Sequence, residues 1–492
     1  MSLINNICST FCPCSVEQSP ARETESSIDA SMRWPALVMI KASAFWFILA
    51  IALGLATSVK LHSPSFLGDS ALLTYGKVKP AFWNALVYGF VFNASLASVT
   101  WILARLSGQA MRNNVLLTVS VSAWNVGLLI GLVGIFIGDQ TPFALLELPN
   151  YITPFLFVSF LGIGLWGLLT FKARTFRSSF ASQWYVLMAL FCFAWIFTAA
   201  QIMLFCSPVQ GAFQALVNGW YVDNLFGLVL APLAFATIYY LIPKSFGKPV
   251  VGYRYAGIAF WTWALFSAFR GSAEMLNGPI PSWVAIVGVI ASFALLLPLS
   301  TLAMQFLSSL FGNFNQIWDS VSMRFIFAGV ISFVLYGIFD VYGSLIGVNE
   351  TIQFSLFDSG VKLLALLGFV GMTAFGGIYF ILPRVLNKNL PSSLIEMQFW
   401  AHAMGVMLIA GGLIYGGHSQ GVLLNDSTTS LLSIAKISQS FLFLSTLGMA
   451  FLLFSAVAFL VTFFWMIVAP RSASEKSALF VKAAPDMECS AS

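Results

Sequence analysis

The sequence predicts an all-α integral membrane protein of about twelve transmembrane helices. Apolar runs of about twenty residues recur from Trp34 to Pro470, each long enough to cross roughly 30 Å of hydrocarbon. Hydrophobic residues make up 59% of the 492 and charged residues only 8%, against roughly 25% charged in soluble domains. The runs are apolar on every side instead of alternating residue by residue, which argues for helices and against a β-barrel.

In chain order the spans fall at 34–57, 82–104, 114–137, 151–171, 182–206, 221–242, 255–273, 283–306, 323–346, 361–383, 397–415 and 438–468. Pro154 suits a first helical turn, where its missing N–H costs nothing, and Pro232 suits a kink that neighbouring helices satisfy. Gly162, Gly164 and Gly167 in the fourth span, and Gly368, Gly371, Gly376 and Gly377 in the tenth, permit close helix contact in lipid. Short loops make 33–470 one membrane domain. Residues 1–32, with Glu17, Arg22, Glu23, Glu25 and Asp29 among serines, read as a polar N-terminal arm, and 471–492 as a polar tail. No basic stretch runs directly from Met1 into an apolar segment, which argues against a cleaved signal peptide.

Basic residues orient the chain. Arg105 and Arg112, then Lys172, Arg174 and Arg177, then Lys244, Lys248 and Arg254, and finally Arg324, Arg384 and Lys388 mark one side. Asp139, Glu147, Pro208, the turn from Asn277 to Pro281 and Glu350 mark the other. This places both termini in the cytoplasm, with Lys60, Lys77 and Lys79 running against the count. The net charge of +5 is accounted for by that bias and gives no reason to expect nucleic-acid binding.

Motifs for soluble cofactors are missing from the sequence: there is no nucleotide-binding glycine loop, Cys-x-x-Cys-His haem attachment or His-Glu-x-x-His pair. Cys8, Cys12 and Cys14 form a cluster in the arm that could hold a metal or an acyl group, but no partner histidine lies nearby, and a plain tail is expected. Cys192 and Cys206 read as small packing residues, and Cys489 lies in the tail.

Five segments, in this order and spacing, resemble the catalytic subunit of the cbb3-type cytochrome c oxidases, within the haem–copper oxidase superfamily. They are Leu73-Thr-Tyr-Gly-Lys-Val-Lys-Pro80, Val217-Asn-Gly-Trp-Tyr-Val-Asp-Asn-Leu-Phe-Gly227, Tyr239-Tyr-Leu-Ile-Pro-Lys244, Gly278-Pro-Ile-Pro-Ser-Trp283 and Phe375-Gly-Gly-Ile-Tyr-Phe-Ile-Leu-Pro-Arg384. The resemblance runs from about Leu73 to Met466 and implies the subunit I fold of that superfamily.

It also implies where the family's ligands would fall. The low-spin haem histidine after the helix-two proline corresponds to Phe82, and the two helix-ten histidines to Val361 and Leu363. The copper histidines correspond to Asp223, Ala273 and Glu274, and the redox tyrosine to Ser267. Haem iron needs an imidazole, thiolate or thioether donor, and copper at such a site wants imidazoles. None of these side chains supplies one. The three histidines of the chain are His62, expected in the first outer loop, His402, near the start of span eleven, and His418, in the loop beyond it; none falls on a ligand position.

Bulky residues such as Phe82, Leu363, Met275, Phe357 and Phe369 are expected to fill part of the space, with bound lipid a candidate for the rest. Ionisable groups at membrane depth are functional candidates by default, and here they are Asp223, Arg270, Glu274, Asp358 and Lys362. They could form a proton or ion path with Asp223 and Glu274 as carriers, or a buried bridge in which Arg270 and Lys362 face those acids.

The leading expectation is therefore a non-catalytic, haem-free and copper-free scaffold subunit of a respiratory or electron-transfer complex in a bacterial inner membrane. The resemblance implies partners: a membrane-anchored c-type cytochrome carrying its own haem c, and small single-helix subunits. A proton- or ion-translocating subunit is the second class, and a residual oxidoreductase with relocated cofactors the third.

Overall fold

The computed structural model describes residues 25–469 apart from 111–112, 176–177 and 207–208. The cluster Cys8, Cys12 and Cys14 and the tail 471–492 lie outside the described residues.

Among the described residues eleven helices are long and apolar enough to span a membrane: α1 (Glu25–His62), α2 (Tyr75–Ser107), α3 (Asn114–Ile137), α4 (Thr153–Lys172), α5 (Ala181–Cys206), α6 (Ala212–Phe246), α8 (Ser282–Phe311), α9 (Val321–Gly343), α10 (Phe357–Leu386), α11 (Ser392–Leu424) and α12 (Leu431–Val468). The expected seventh span is α7 (Ala256–Arg270), continued by 3₁₀ turns at Tyr253–Tyr255 and Gly271–Met275. Its 15 α-helical residues alone cover only about 22 Å, and the flanking turns make up the thickness. The expected order of spans is thus the observed order.

Helix ends differ from the hydropathy edges, because a window senses apolarity while a helix continues through polar residues as long as its backbone stays bonded. α1 starts at Glu25, inside the expected 1–32 arm. Asp29 explains it: its carboxylate accepts from Trp101 Nε1 at 3.0 Å and pairs with Arg105 at 2.8 Å, tying the first turns of α1 to α2. α11 runs on to Leu424, so His418 sits within it and not in a loop, and His62 is the last residue of α1, bonded to Thr446. Cys206, expected to pack, is exposed at the end of α5. Gly108 after α2 and Gly247 after α6 adopt left-handed φ of 72° and 66°, which stops each helix where a side chain would be strained.

Three helices form the centre. The most apolar stretches of α2 and α10 are wholly buried by protein and that of α6 is 94% buried, whereas α4, α5, α8 and α9 each bury 39% and offer the remainder to lipid. Lipid chains are as apolar as leucine, so close packing, and not expulsion from water, holds such helices together. Small residues do this at particular crossings: a Cβ at Gly89 of α2 would come within 2.7 Å of the Trp46 ring of α1, and one at Gly405 of α11 within 2.9 Å of the Gly448 carbonyl of α12. All three central helices also widen into π-helix, at Ala85–Val91, Leu225–Leu230 and Leu364–Gly371. Such widenings are rare and gather at functional sites.

Below the first turns of the trio the interior is aromatic. Phe235 of α6 meets the rings of Trp263, Phe333, Phe369 and Phe306 at centroid distances of 4.9, 5.2, 5.4 and 6.3 Å. Tyr239, one turn on, donates to Gln305 Oε1 at 2.5 Å and packs on Phe306.

Candidate functional site

The ends of α2, α6 and α10 that face the loops 138–152 and 276–281 enclose a cavity of about 470 Å³. This is the face opposite the loops that carry most of the basic residues. α2 contributes Lys79, Trp83 and Val87, α6 contributes Asp223, Phe226 and Leu230, and α10 contributes Asp358, Val361, Lys362 and Leu366. Lys79, Gln140, Ala144 and Asp358 are exposed, so the mouth opens to water, while Val87, Leu230 and Leu366 form a buried apolar floor. A second cavity of about 270 Å³ adjoins it, sharing Arg270, Asp340, Asp358, Val361 and Lys362 and adding Ala273, Glu274 and Phe357.

Two ion-pair groups stand between these spaces. Arg270, at the C-terminal end of α7, extends Nη1 to Asp223 at 2.7 Å and Nη2 to Asp340 of α9 at 2.6 Å. The same Nη1 donates to the Tyr336 hydroxyl at 3.1 Å. These side chains are 18%, 7% and 10% exposed for Arg270, Asp223 and Asp340, so this group is largely out of water and its charges act over short distances in a weakly screening medium. Lys362 forms the second group, with Asp358 one turn earlier on α10 at 2.8 Å and Glu274 at 3.1 Å. It is wetter, with Glu274 and Lys362 about one-third exposed and Asp358 64% exposed.

Glu147 stands at the mouth, on the loop between α3 and α4. Asn84 Nδ2 donates to its Oε2 at 2.7 Å. Burial raises its carboxyl from the ordinary value near 4.5 to about 7, partly opposed by the Asn84 bond and by Lys79. Deeper, Tyr88 donates to the Leu145 carbonyl and shares a 2.6 Å hydrogen bond with Tyr221, joining that loop to α2 and α6. Two of the three lysines that run against the basic bias are bound to backbone carbonyls, Lys60 to Phe66 and Lys77 to Phe136; the third, Lys79, lines the cavity.

The charged candidates Asp223, Arg270, Glu274, Asp358 and Lys362 are thus brought together, with each acid facing a cation. Of the positions that the resemblance assigns to ligands, Val361 lines both cavities, and Ala273 and Glu274 the second. Phe82 is turned aside: a Cβ on Gly54 of α1 would touch its ring at 2.7 Å. Leu363 is buried outside both cavities, and Ser267 is buried behind Asp223, against Gly227. Phe82, Leu363, Phe357 and Phe369 do fill interior space, yet they leave the 470 Å³ cavity open.

These side chains do not fit a haem iron or an oxidase copper. Asp223 and Glu274 are committed to guanidinium and ammonium partners, Phe82, Val361 and Leu363 carry no donor, and among the described residues no three His, Cys, Asp or Glu side chains converge on a metal-sized point. His402 is wholly buried between the rings of Phe47 and Phe375, and its two ring nitrogens are already within 3.3 Å of Ser455 Oγ and 3.2 Å of the Leu367 carbonyl.

Sequence reasoning missed Asp340, Tyr336 and the cavity role of Glu147. Asp340 could have been found, since a lone acid near the end of an apolar span carries the same signal as the five that were singled out. Tyr336 and Glu147 carry no such local signal.

Comparison with known proteins agrees with the architecture. The profile of the cytochrome c and quinol oxidase polypeptide I family matches residues 35–451. The chain is 24% identical over 421 residues to a cytochrome c oxidase subunit 1 homolog of Azorhizobium caulinodans, covering 82% of this chain and 76% of that protein. It is 22% identical over 408 residues to the cbb3-type cytochrome c oxidase subunit CcoN1 of Stutzerimonas stutzeri, covering 80% and 85%. A solved heme-copper terminal oxidase dimer superposes with a TM-score of 0.73 at 14% identity, over 91% of this chain and 86% of that one.

Proposed function

Because the chain belongs to the cytochrome c and quinol oxidase polypeptide I family, we propose that it is an oxidase-like membrane subunit that handles protons through Asp223 and Glu274, with Arg270 and Lys362 as their counter-charges. One observation carries this reading. Five carboxylates, Glu147, Asp223, Glu274, Asp340 and Asp358, line the two joined cavities, against three cations, Lys79, Arg270 and Lys362. Full ionisation leaves two negative charges without a counterpart. In a partly dehydrated site that excess is costly, and protons from the outer-face water remove it.

The subunit sits in this proposal in a bacterial inner membrane with both termini in the cytoplasm, beside a membrane-anchored c-type cytochrome and small single-helix subunits. It holds no haem or copper of its own, and haem c belongs to the partners. Gentle extraction, identification of copurifying chains and haem quantitation test that arrangement. Haem or copper bound stoichiometrically to this chain overturns it.

Proton handling is tested in vesicles holding only this chain, with an imposed pH gradient read by an entrapped dye. The gradient is expected to collapse faster than in empty vesicles, and the Asp223→Asn, Glu274→Gln double variant is expected to slow it. A rate equal to that of empty vesicles overturns the reading. The aromatic layer around Phe235 separates the network from the opposite face, so the flux is expected to be slow.

A purely structural bridge is the second reading, favoured by the way Arg270 grips α6 and α9 at once. Failure of the double variant to assemble supports it.

A further inference from the structure

We infer that the 470 Å³ outer-face cavity is a binding site for an organic cation with a flat apolar body. The inference rests on the charge excess used for the proton-handling reading and adds three observations to it.

The first is size. The space is far larger than a proton or a bare metal ion requires, and the carboxylates around it are held apart by Arg270 and Lys362 and do not converge on a point. The second is the wall. Trp83 of α2 and Phe226 of α6 line the cavity and are only half-buried, and Tyr336 stands edge-on to Phe226 at 4.8 Å. Aromatic faces beside carboxylates attract amines and quaternary ammonium groups, through the ring quadrupole and through charge. The third is an unmet polar group behind the acids. The Ser267 hydroxyl is 3% exposed and has no hydrogen-bond partner, and it shares a small pocket with Asp223, Arg270 and Asp340.

The route of access narrows the ligand further. The walls come from the central helices, the 138–152 loop and the largely buried side chains Arg270 of α7 and Tyr336 and Asp340 of α9, and the mouth residues Lys79, Gln140 and Asp358 are exposed to water. The ligand therefore enters from the outer aqueous phase and not sideways from lipid.

The groups that face a bound cation are Lys79 from α2, Glu147 from the loop, Asp223 from α6, Arg270 from α7, Tyr336 and Asp340 from α9, and Asp358 and Lys362 from α10, with Glu274 in the adjoining cavity. A cation entering this set takes the place of the protons that neutralise the excess, so binding releases protons to the medium.

The test uses the full chain in nanodiscs with three probes of one shape: (2-naphthylmethyl)trimethylammonium, 2-naphthalenemethanol and 2-naphthoate. Binding is measured by equilibrium dialysis against empty nanodiscs, so that partition into lipid is subtracted. The quaternary cation is expected to bind at least about tenfold tighter than the alcohol, and the carboxylate weakest, as one favourable or unfavourable charge contact in a partly screened site predicts. Trp83→Leu and Asp358→Asn are each expected to weaken the cation severalfold and leave the alcohol within twofold for Asp358→Asn. Equal binding of the three probes, or preference for naphthoate, overturns the inference.

The quaternary probe carries no titratable proton, so calorimetry in buffers of different ionisation enthalpy reads protons released by the protein alone. Selective cation binding without proton release sustains the site and overturns proton handling. A pH gradient collapsed by the wild type, with no selective binding, does the reverse.

Discussion

From Asp223 to Phe235 along α6, a rise of roughly 18 Å, the interior changes from charged and hollow to aromatic and filled. At the first level Arg270 holds two carboxylates beside an open cavity; at the second, Phe235 has five ring neighbours, Tyr185 among them, and sits fully buried. α6, α7, α9 and α10 contribute to both levels. What differs is access to water: near the 138–152 loop ionised groups can be solvated and paired, whereas mid-bundle only well-packed apolar groups are cheap. The space beside this chain's charges is open where water reaches it and closed by aromatic rings where it does not.

The largest expected effect comes from breaking the charged level. Arg270→Met leaves Asp223 and Asp340 facing each other without a cation and is expected to cost about 3–5 kcal/mol, read as a lowered thermal midpoint in detergent. An unchanged midpoint would show that the guanidinium does not hold α6, α7 and α9 together. Phe235→Ala attacks the other level, and the lost ring contacts are expected to cost about 3 kcal/mol. It is also expected to raise proton leak through vesicles, because the layer it opens is the barrier in the proton-handling proposal; a leak no faster than wild type would remove that role from the layer.

Glu147 gives a smaller, pH-dependent effect. Its folded value of about 7 lies above the ordinary 4.5, so the folded protein keeps a proton that the unfolded chain releases. Stability is therefore expected to fall as pH rises from about 4.5 to about 7 and to level off above that. Glu147→Gln is expected to remove this part of the slope and to be the more stable protein at pH above about 7, seen by comparing midpoints across the pH range. Parallel pH profiles for the two proteins would count against a raised Glu147 carboxyl. The least effect belongs to Asp358→Asn: the pair with Lys362 is exposed, and the change is expected to stay below about 1 kcal/mol, which is what makes this variant a fair probe of binding. A larger loss would place Asp358 in the structural bridge.

Much of this was legible beforehand, for definite reasons. The order of spans follows from hydropathy, and Asp223, Arg270, Glu274 and Lys362 stood out because charges in apolar runs are rare. Their pairing was open, since ranges such as Asp223 to Arg270 say nothing about approach in space. Asp340 is readable by the same rule. Tyr336 was not readable: it is one tyrosine among many in apolar spans. The helix ends at Glu25 and Leu424 were hidden because polar residues there are stabilised by partners, Asp29 by Arg105 and Trp101 in the first case.

The sequence by itself determined that the chain is a bundle of about twelve membrane helices, because the need to satisfy every backbone group in hydrocarbon leaves a long apolar run little choice. It also determined the donor set, which lacks imidazoles at the positions where the resemblance puts them. Only the tertiary structure decided that Arg270 would reach α6 and α9 together, that Phe82 would turn away toward Gly54, and that α2, α6 and α10 would widen into π-helix beside a cavity. Each depends on how closely helices distant in sequence approach one another, and that distance is set by the packing of the whole bundle.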